Sequence, residues 1–541
     1  MDVIKTVLIA CIAVVLYYLL MQWPTQARSP EKIDEVTFND MISNDSEDLL
    51  SPPESPVLEA PTPRGVETPI ASFGKVFVVE NDTLFIEIDA SSGKFISSKL
   101  KHIKTSKDGT TNFGIFGSTG ENFYSSNSGF FNTQGYLQPG FTKISSYAGE
   151  QGSKVYELEG ASNGLIFTRK INLSPGKYYL EVEDIVRGGL PGVDVEVTPY
   201  VVIERGSEEV EEGGLAYTYL GPVFSTQNDR FEKYDFDDIN DSNFKQQSEG
   251  GWVSLIQHYF VSAWVPDQNQ SYLYQARKSA STGRYSVGYT ASSEFLGTNK
   301  SLVSSKNTLY VGPKLPEQLK TVHPDLDLVV DYGFLWWLGK PMYWLLNVGY
   351  DIFQNWGLAI IFLTVLLKIV TWPASAAAYK SMGKMRLLQP QLAALQAKHG
   401  DDKQKAGQAV MEFYKKEGVN PLGGCLPMVI QMPFFLAFYW VLMETVELRH
   451  SPFVFWIDDL SAMDPFFILP LLNAAGMYYS QKLTPAPANA DPMQAQMMKY
   501  LPLMFALIFA WFPSGLVLYW LVNMLVTLLQ QWWYYRKVSS V

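Results

Sequence analysis

The sequence is poor in the residues on which most catalytic, metal-binding and nucleic-acid-binding sites depend. It holds two cysteines in 541 residues, Cys11 and Cys425, both inside apolar segments. Each reads as a small buried hydrophobe rather than half of a disulfide or a metal ligand. The five histidines are scattered without ligand spacing, so neither a metal nor a cofactor is expected. No Walker loop, Gly-x-Gly-x-x-Gly turn or Gly-x-Ser-x-Gly elbow occurs, and no catalytic residue is nominated. A basic surplus is missing too: 42 Lys and Arg face 54 Asp and Glu, a net charge of −12 that argues against a nucleic-acid partner.

What the chain does have is two unlike halves. Val3 to Leu20 is an apolar run of about 18 residues with Lys5 near its start. The front charge predicts an anchor, residues 1–23, with the N-terminus inside. A cleaved signal peptide competes, with Thr25-Gln-Ala27 as its small-residue site. Residues 24–60 are acidic and rich in Pro and Ser, the composition of a flexible tether. From 61 to 330 short β runs take over, at 75–79, 83–89, 165–172, 178–186, 193–202, 254–265 and 304–311. In Leu84–Asp89, Leu84, Ile86 and Ile88 share one face while Glu87 and Asp89 are expected to point out. Turn pairs such as Pro175-Gly176 and Pro191-Gly192 separate the runs, and the whole predicts one large antiparallel sandwich. It is expected to join the rest through a narrow connection near Asp331.

The aromatic, amphipathic stretch 334–350 predicts a helix lying in a membrane interface. Five apolar segments follow, at about 355–373, 421–443, 465–480, 497–512 and 515–533, making six spans with the anchor. Loop 379–418 carries eight Lys or Arg against four acids, and loop 444–464 five acids against Arg449 alone. The positive-inside rule therefore places both termini in the cytoplasm and the β domain outside. Segments 465–480 and 497–512 are short, about 24 Å of helix against a hydrocarbon core of about 30 Å, so they thin the bilayer unless their ends are misjudged by a turn.

Lys368 stands out. It lies near the inner end of an apolar helix, where a charge costs about 2.5–3.5 kcal/mol on insertion scales. Thr364, Lys368 and Thr371 follow i, i+4, i+7 and form one polar stripe. Either the lysine snorkels to the headgroups, or the stripe faces a buried polar surface. Gln431, Asn473, and the series Tyr519, Asn523, Thr527 add polar groups on other segments. They are helix–helix glue or, with Lys368, the lining of a hydrated cavity open to the cytoplasm. In the loop, Met382, Met385, Leu388, Leu392 and Leu395 fall at helical spacing. Val410, Phe413 and Tyr414 mark a second helix beyond Gly400-Asp-Asp. The pair is an αα-hairpin, 379–417, with a basic surface that includes Arg386. Its Met-bearing face suits varied partners, or serves only to pack one helix on the other.

Asn420-Pro-Leu-Gly-Gly-Cys-Leu-Pro-Met-Val-Ile-Gln-Met-Pro433, Val446-Glu-Leu-Arg449, Trp456-Ile-Asp-Asp-Leu-Ser461, Phe512-Pro-Ser-Gly-Leu-Val-Leu-Tyr519 and Asp331-Tyr-Gly333 resemble the YidC membrane-protein insertase family in its Gram-negative form. The resemblance covers nearly the whole chain. It implies a β-supersandwich in the periplasm, and a five-helix core in the bacterial inner membrane whose groove is closed to the periplasm. The family works without ATP, alone or beside the Sec translocon. It usually has a groove arginine where this chain has Lys368, and lysine lacks the planar fork.

The sequence is thus read as a multi-domain, multi-pass membrane protein, an all-β domain joined to an α-helical bundle, and as an insertase and folding chaperone rather than an enzyme. Lys368, Thr364, Thr371, Gln431, Tyr519 and Asn523 are expected to line the substrate groove. Met432, Phe435, Phe505 and Phe509 are expected to guide the apolar part of a segment into lipid. Nascent membrane proteins, the lipid bilayer, the ribosome and the Sec translocon are the expected partners. A solute transporter using Lys368 as counter-ion is a rival, but inverted repeats are not seen. A periplasmic carbohydrate-binding or sugar-modifying enzyme using His102 and His258 is the other, without a spacing that argues for it.

Overall fold

The computed structural model describes residues 75–107, 109–117, 123–188, 194–206, 219–297, 300–399, 403–418, 426–483 and 492–539. The anchor 1–23, the tether 24–60, both cysteines, the motif start Asn420–Cys425 and the break Gly400-Asp-Asp lie outside these residues.

Two antiparallel sheets, of eleven and nine strands among the described residues, form the β half. One runs in the order Val76–Glu80, Leu84–Asp89, Phe95–Lys104, Tyr124–Asn132, Val195–Arg205, Tyr285–Ala291, Ser271–Lys278, Phe244–Glu249. The centre of the other is Trp252–Ile256, Phe260–Pro266, Leu302–Pro313, Tyr179–Gly188 and Leu165–Leu173. Alternation along the strands explains the layering: Leu84, Ile86 and Ile88 are fully buried while Phe85 and Glu87 are half-exposed. Asp89 departs from that pattern and turns inward. It accepts from Ser91 Oγ at 2.6 Å and Ser92 N at 2.9 Å, so the buried carboxylate closes a turn instead of facing water.

Two short helices belong to this half, α1 (Phe236–Asp241) and α2 (Pro316–Val322). The rest is helical: α3 (Trp336–Phe353), α4 (Trp356–Val370), α5 (Trp372–His399), α6 (Lys403–Lys416), α7 (Leu426–Glu444), α8 (Ile468–Leu483), α9 (Pro492–Phe509) and α10 (Ser514–Ser539). Asn355 caps α4 by accepting from Leu358 N at 3.0 Å. The apolar segment 355–373 is not one helix, because the axis turns by 65° between α4 and the first half of α5. Among the described residues Ser514–Tyr534 is long and apolar enough to cross a membrane alone, and Val429–Glu444 and Tyr500–Phe509 are shorter apolar helices. Helix α3 leaves Trp336, Trp337 and Trp344 exposed.

The expectation of a narrow connection near Asp331 is corrected. Lys314, at the end of strand Leu302–Pro313, makes a buried ion pair with Glu444 at the end of α7. Arg449 donates to the carbonyls of Lys104 and Thr105 at 2.6 and 2.8 Å and lies over the rings of Phe113 and Phe260. Lys107 pairs with Asp458 at 3.2 Å. These partners are more than a hundred residues apart in sequence, which is why no local pattern announced them.

Candidate functional site

Lys368 sits in the last turn of α4 with only 4% of its surface exposed. Its Nζ donates to Gln431 Oε1 of α7 at 2.9 Å and to Thr527 Oγ1 of α10 at 2.8 Å. Gln431 Nε2 donates in turn to Asn523 Oδ1, and Thr527 Oγ1 to the Asn523 carbonyl at 2.8 Å. One chain of hydrogen bonds therefore links three helices. Every acceptor of the ammonium is neutral, and among the described residues no carboxylate pairs with it. Neutral dipoles offset part of the desolvation cost of a buried charge but leave its field uncancelled.

The two threonines of the stripe are spent locally. Thr364 Oγ1 donates to Ile360 O at 2.7 Å and Thr371 Oγ1 to Leu367 O at 2.8 Å, the back-bonding open to threonine inside a helix. Thr364 is buried, so Lys368 is the member of the stripe that reaches other helices. Tyr519 is buried too, its ring 4.7 Å from that of Phe438. Thr527, named with Asn523 as a polar group of its segment but left out of the groove set, takes the place the threonines leave. Its spacing of four from Asn523 was the available signal.

Phe435, Phe505 and Phe509 surround Trp520 of α10, with ring centroids 4.7, 6.4 and 5.2 Å away, so these aromatics bind α7, α9 and α10 together. Met432 is exposed, as are Val429 on α7 and Leu503, Met504, Leu507 and Ile508 on α9. In the hairpin, Met382 is buried, and Met385 packs with Leu388, Leu395 and Phe413 around Leu392, Val410 and Tyr414. The methionine face is thus taken up by packing. Arg386 lies on α5, its side chain outside the described ones. His258 hydrogen-bonds the Met443 carbonyl at 2.9 Å and stacks on Tyr259, while His102 lies on strand Phe95–Lys104. Among the described residues no group of three or more His, Cys, Asp or Glu is placed to hold a metal ion.

Comparison with known proteins adds independent information. Residues 77–345 match the YidC periplasmic domain family, and residues 348–540 the family described as 60Kd inner membrane protein. A relative from Pseudomonas fluorescens (strain SBW25), named membrane protein insertase YidC, is 38% identical across the whole chain and 99% of its own length. One of the same name from Shewanella piezotolerans is 40% identical over 84% of this chain and 85% of its own. A solved structure, an active YidC insertase with its first transmembrane domain resolved, aligns at 17% identity over 84% of this chain and 92% of that one, with a TM-score of 0.39.

Proposed function

The chain belongs to the YidC family of inner-membrane insertases, and on that premise we propose that Lys368 and its neutral partners form the station where a polar segment of an incoming membrane protein is received. One observation carries the reading: a buried ammonium held by Gln431 and Thr527, with no carboxylate paired to it among the described residues. Such a group attracts an acidic tail, and an arriving carboxylate replaces only neutral acceptors. Asn523 and Gln431 offer amide groups to a hydrated backbone. The exposed apolar surface of α7 and α9, Met432 included, offers the hydrophobic part of the segment a path beside lipid. Phe435, Phe505 and Phe509 keep that surface in place from behind.

In this reading α4, α7, α8, α9 and α10 with the N-terminal anchor make six spans, both termini are cytoplasmic, and the sandwich is periplasmic. Helix α8, at 16 residues, suits a locally thin bilayer, which lowers the barrier to a polar segment, whereas α9 runs to 18 residues rather than the 16 expected for 497–512. The hairpin α5–α6, with its basic surface, meets ribosomes and emerging segments first, and the Sec translocon delivers others from the side. No step makes or breaks a covalent bond. Photo-crosslinking tests the proposal directly: a photoreactive side chain at 368 captures stalled nascent membrane proteins, whereas one at exposed Ile166 on the sandwich does not. Equal capture at both positions overturns it.

A further inference from the structure

The loop between α7 and α8 is built more rigidly than a connector requires. Asp464, 1% exposed, accepts from Trp456 Nε1 at 3.0 Å, Phe466 N at 3.0 Å and Leu469 N at 2.7 Å. Asp459 accepts from His450 N at 3.1 Å and from Ser461 N at 2.8 Å. From outside, the sandwich holds the loop through Lys107–Asp458 and Arg449. Yet what this scaffold presents is apolar: Phe455 is 90% exposed, Phe466 63%, Met463 51% and Phe467 48%.

Two of those rings stand on strained backbone. Phe455 and Phe467 have φ of 59° and 55°, a left-handed conformation that is unfavourable for a side-chain-bearing residue. Inside the protein Phe455 is almost without burial to repay that cost, and Phe467 is only half-buried. The repayment lies outside, and the neighbouring helices say where. Helix α8 has 16 residues, about 24 Å against a hydrocarbon core of about 30 Å. Phe466 and Phe467 immediately precede it, and Trp511, also exposed, lies two residues beyond the end of α9. The rings therefore continue the exposed apolar faces of Leu471 and Leu472 on α8 and of Leu507 and Ile508 on α9.

We propose that the loop 452–467 is an outer-leaflet anchor, whose aromatic side chains Phe455, Phe466 and Phe467 seat at the boundary between lipid headgroups and acyl chains and set the depth of helices α8 and α9. The proposal rests on reading α8 and α9 as spans. Aromatic rings are at home at that boundary, and burying Phe455 there returns more than its strain costs. A lipid surface is the better match than a protein partner, because Phe466 and Phe467 run directly into α8, whose Leu471 and Leu472 are exposed as well. The sandwich gains a mechanical role: through Lys104, Thr105 and Lys107 it braces the anchor against the membrane.

The test uses the full chain with Cys11→Ser and Cys425→Ser, reconstituted in phosphatidylethanolamine–phosphatidylglycerol vesicles. Single cysteines replace Phe455, Leu503 or Ile166, each labelled with an environment-sensitive fluorophore. Lipids carry a nitroxide either near the headgroup or near the chain end. The Phe455→Cys label should lose most fluorescence with the headgroup-proximal nitroxide, the Leu503→Cys label with the deep one, and the Ile166→Cys label with neither. Adding Asp464→Ala should weaken quenching at 455 without changing it at 503. An unquenched 455 beside a quenched 503 overturns the anchor, as does quenching at 455 that the Asp464→Ala change leaves untouched. A 455 label that changes only when a substrate protein is added does so too, by showing a protein contact. An unquenched 503 instead removes the span reading on which the anchor stands.

Discussion

Lys314→Met is the perturbation whose size the structure fixes most closely. Lys314 and Glu444 side chains are 2% and 4% exposed, and they join the sandwich to the end of α7. Shortening the cation alone strands a buried carboxylate, a loss of about 3–5 kcal/mol when no solvent reaches the survivor. Over a sandwich of about 270 residues that corresponds to a fall in Tm of roughly 5–9 °C. Replacing both partners, Lys314→Met with Glu444→Leu, removes the stranded charge and should recover most of the loss, since apolar pairs of similar volume often substitute well for buried ion pairs. Thermal unfolding followed by tryptophan fluorescence in detergent, across wild type, both single variants and the double, gives the coupling as a cycle. Additive single losses, or a double variant as unstable as the sum, would refute the claim that the pair is buried and mutually dependent.

Two further outcomes follow from the same contacts. Deleting about 61–320 while keeping the anchor and Phe334 onward should lower thermal stability yet leave insertion substantially intact, because Lys368 and its partners all lie in the helical half; a stably produced but inactive protein would show that the sandwich takes part in insertion. Hydrogen exchange should separate the hairpin into two parts, slow near Ala378, Tyr379 and Met382, which are buried, and faster through α6, which packs on α5 through Val410, Phe413 and Tyr414; protection of α6 equal to that of α10 would contradict a hairpin loose enough to meet emerging segments first.

Strands were legible because a buried face leaves a period of two, and Leu84, Ile86 and Ile88 show it directly. The same rule misplaced Asp89, because a turn hydroxyl pair at Ser91 and Ser92 offered its carboxylate better partners than water. In the site, the oddity of Lys368 could be read from one helix. Its partners could not, since Gln431 and Thr527 are 63 and 159 positions away and only packing selects them. Periodicity also made Thr364 and Thr371 look like companions of the lysine, when each hydroxyl had a carbonyl of its own helix within reach. The break at Thr371 did leave a mark that hydrophobicity overrode. Apolar residues continue through Trp372, but Pro373 has no N–H for the Ile369 carbonyl and stands at the start of α5, where the axis turns by 65°.

The central claim is that positive charge at position 368 draws acidic segments into the bundle. Insertion into reconstituted vesicles should be measured for one substrate with an acidic translocated tail and for the same substrate with a neutral tail. At an effective dielectric of about 20 the charge contributes about 1–2 kcal/mol net to the acidic tail, roughly a five- to thirty-fold effect. Lys368→Ala should therefore slow the acidic substrate by that factor and spare the neutral one, and Lys368→Arg should restore it. Equal insertion of the acidic-tailed substrate by wild type and Lys368→Ala would contradict the account.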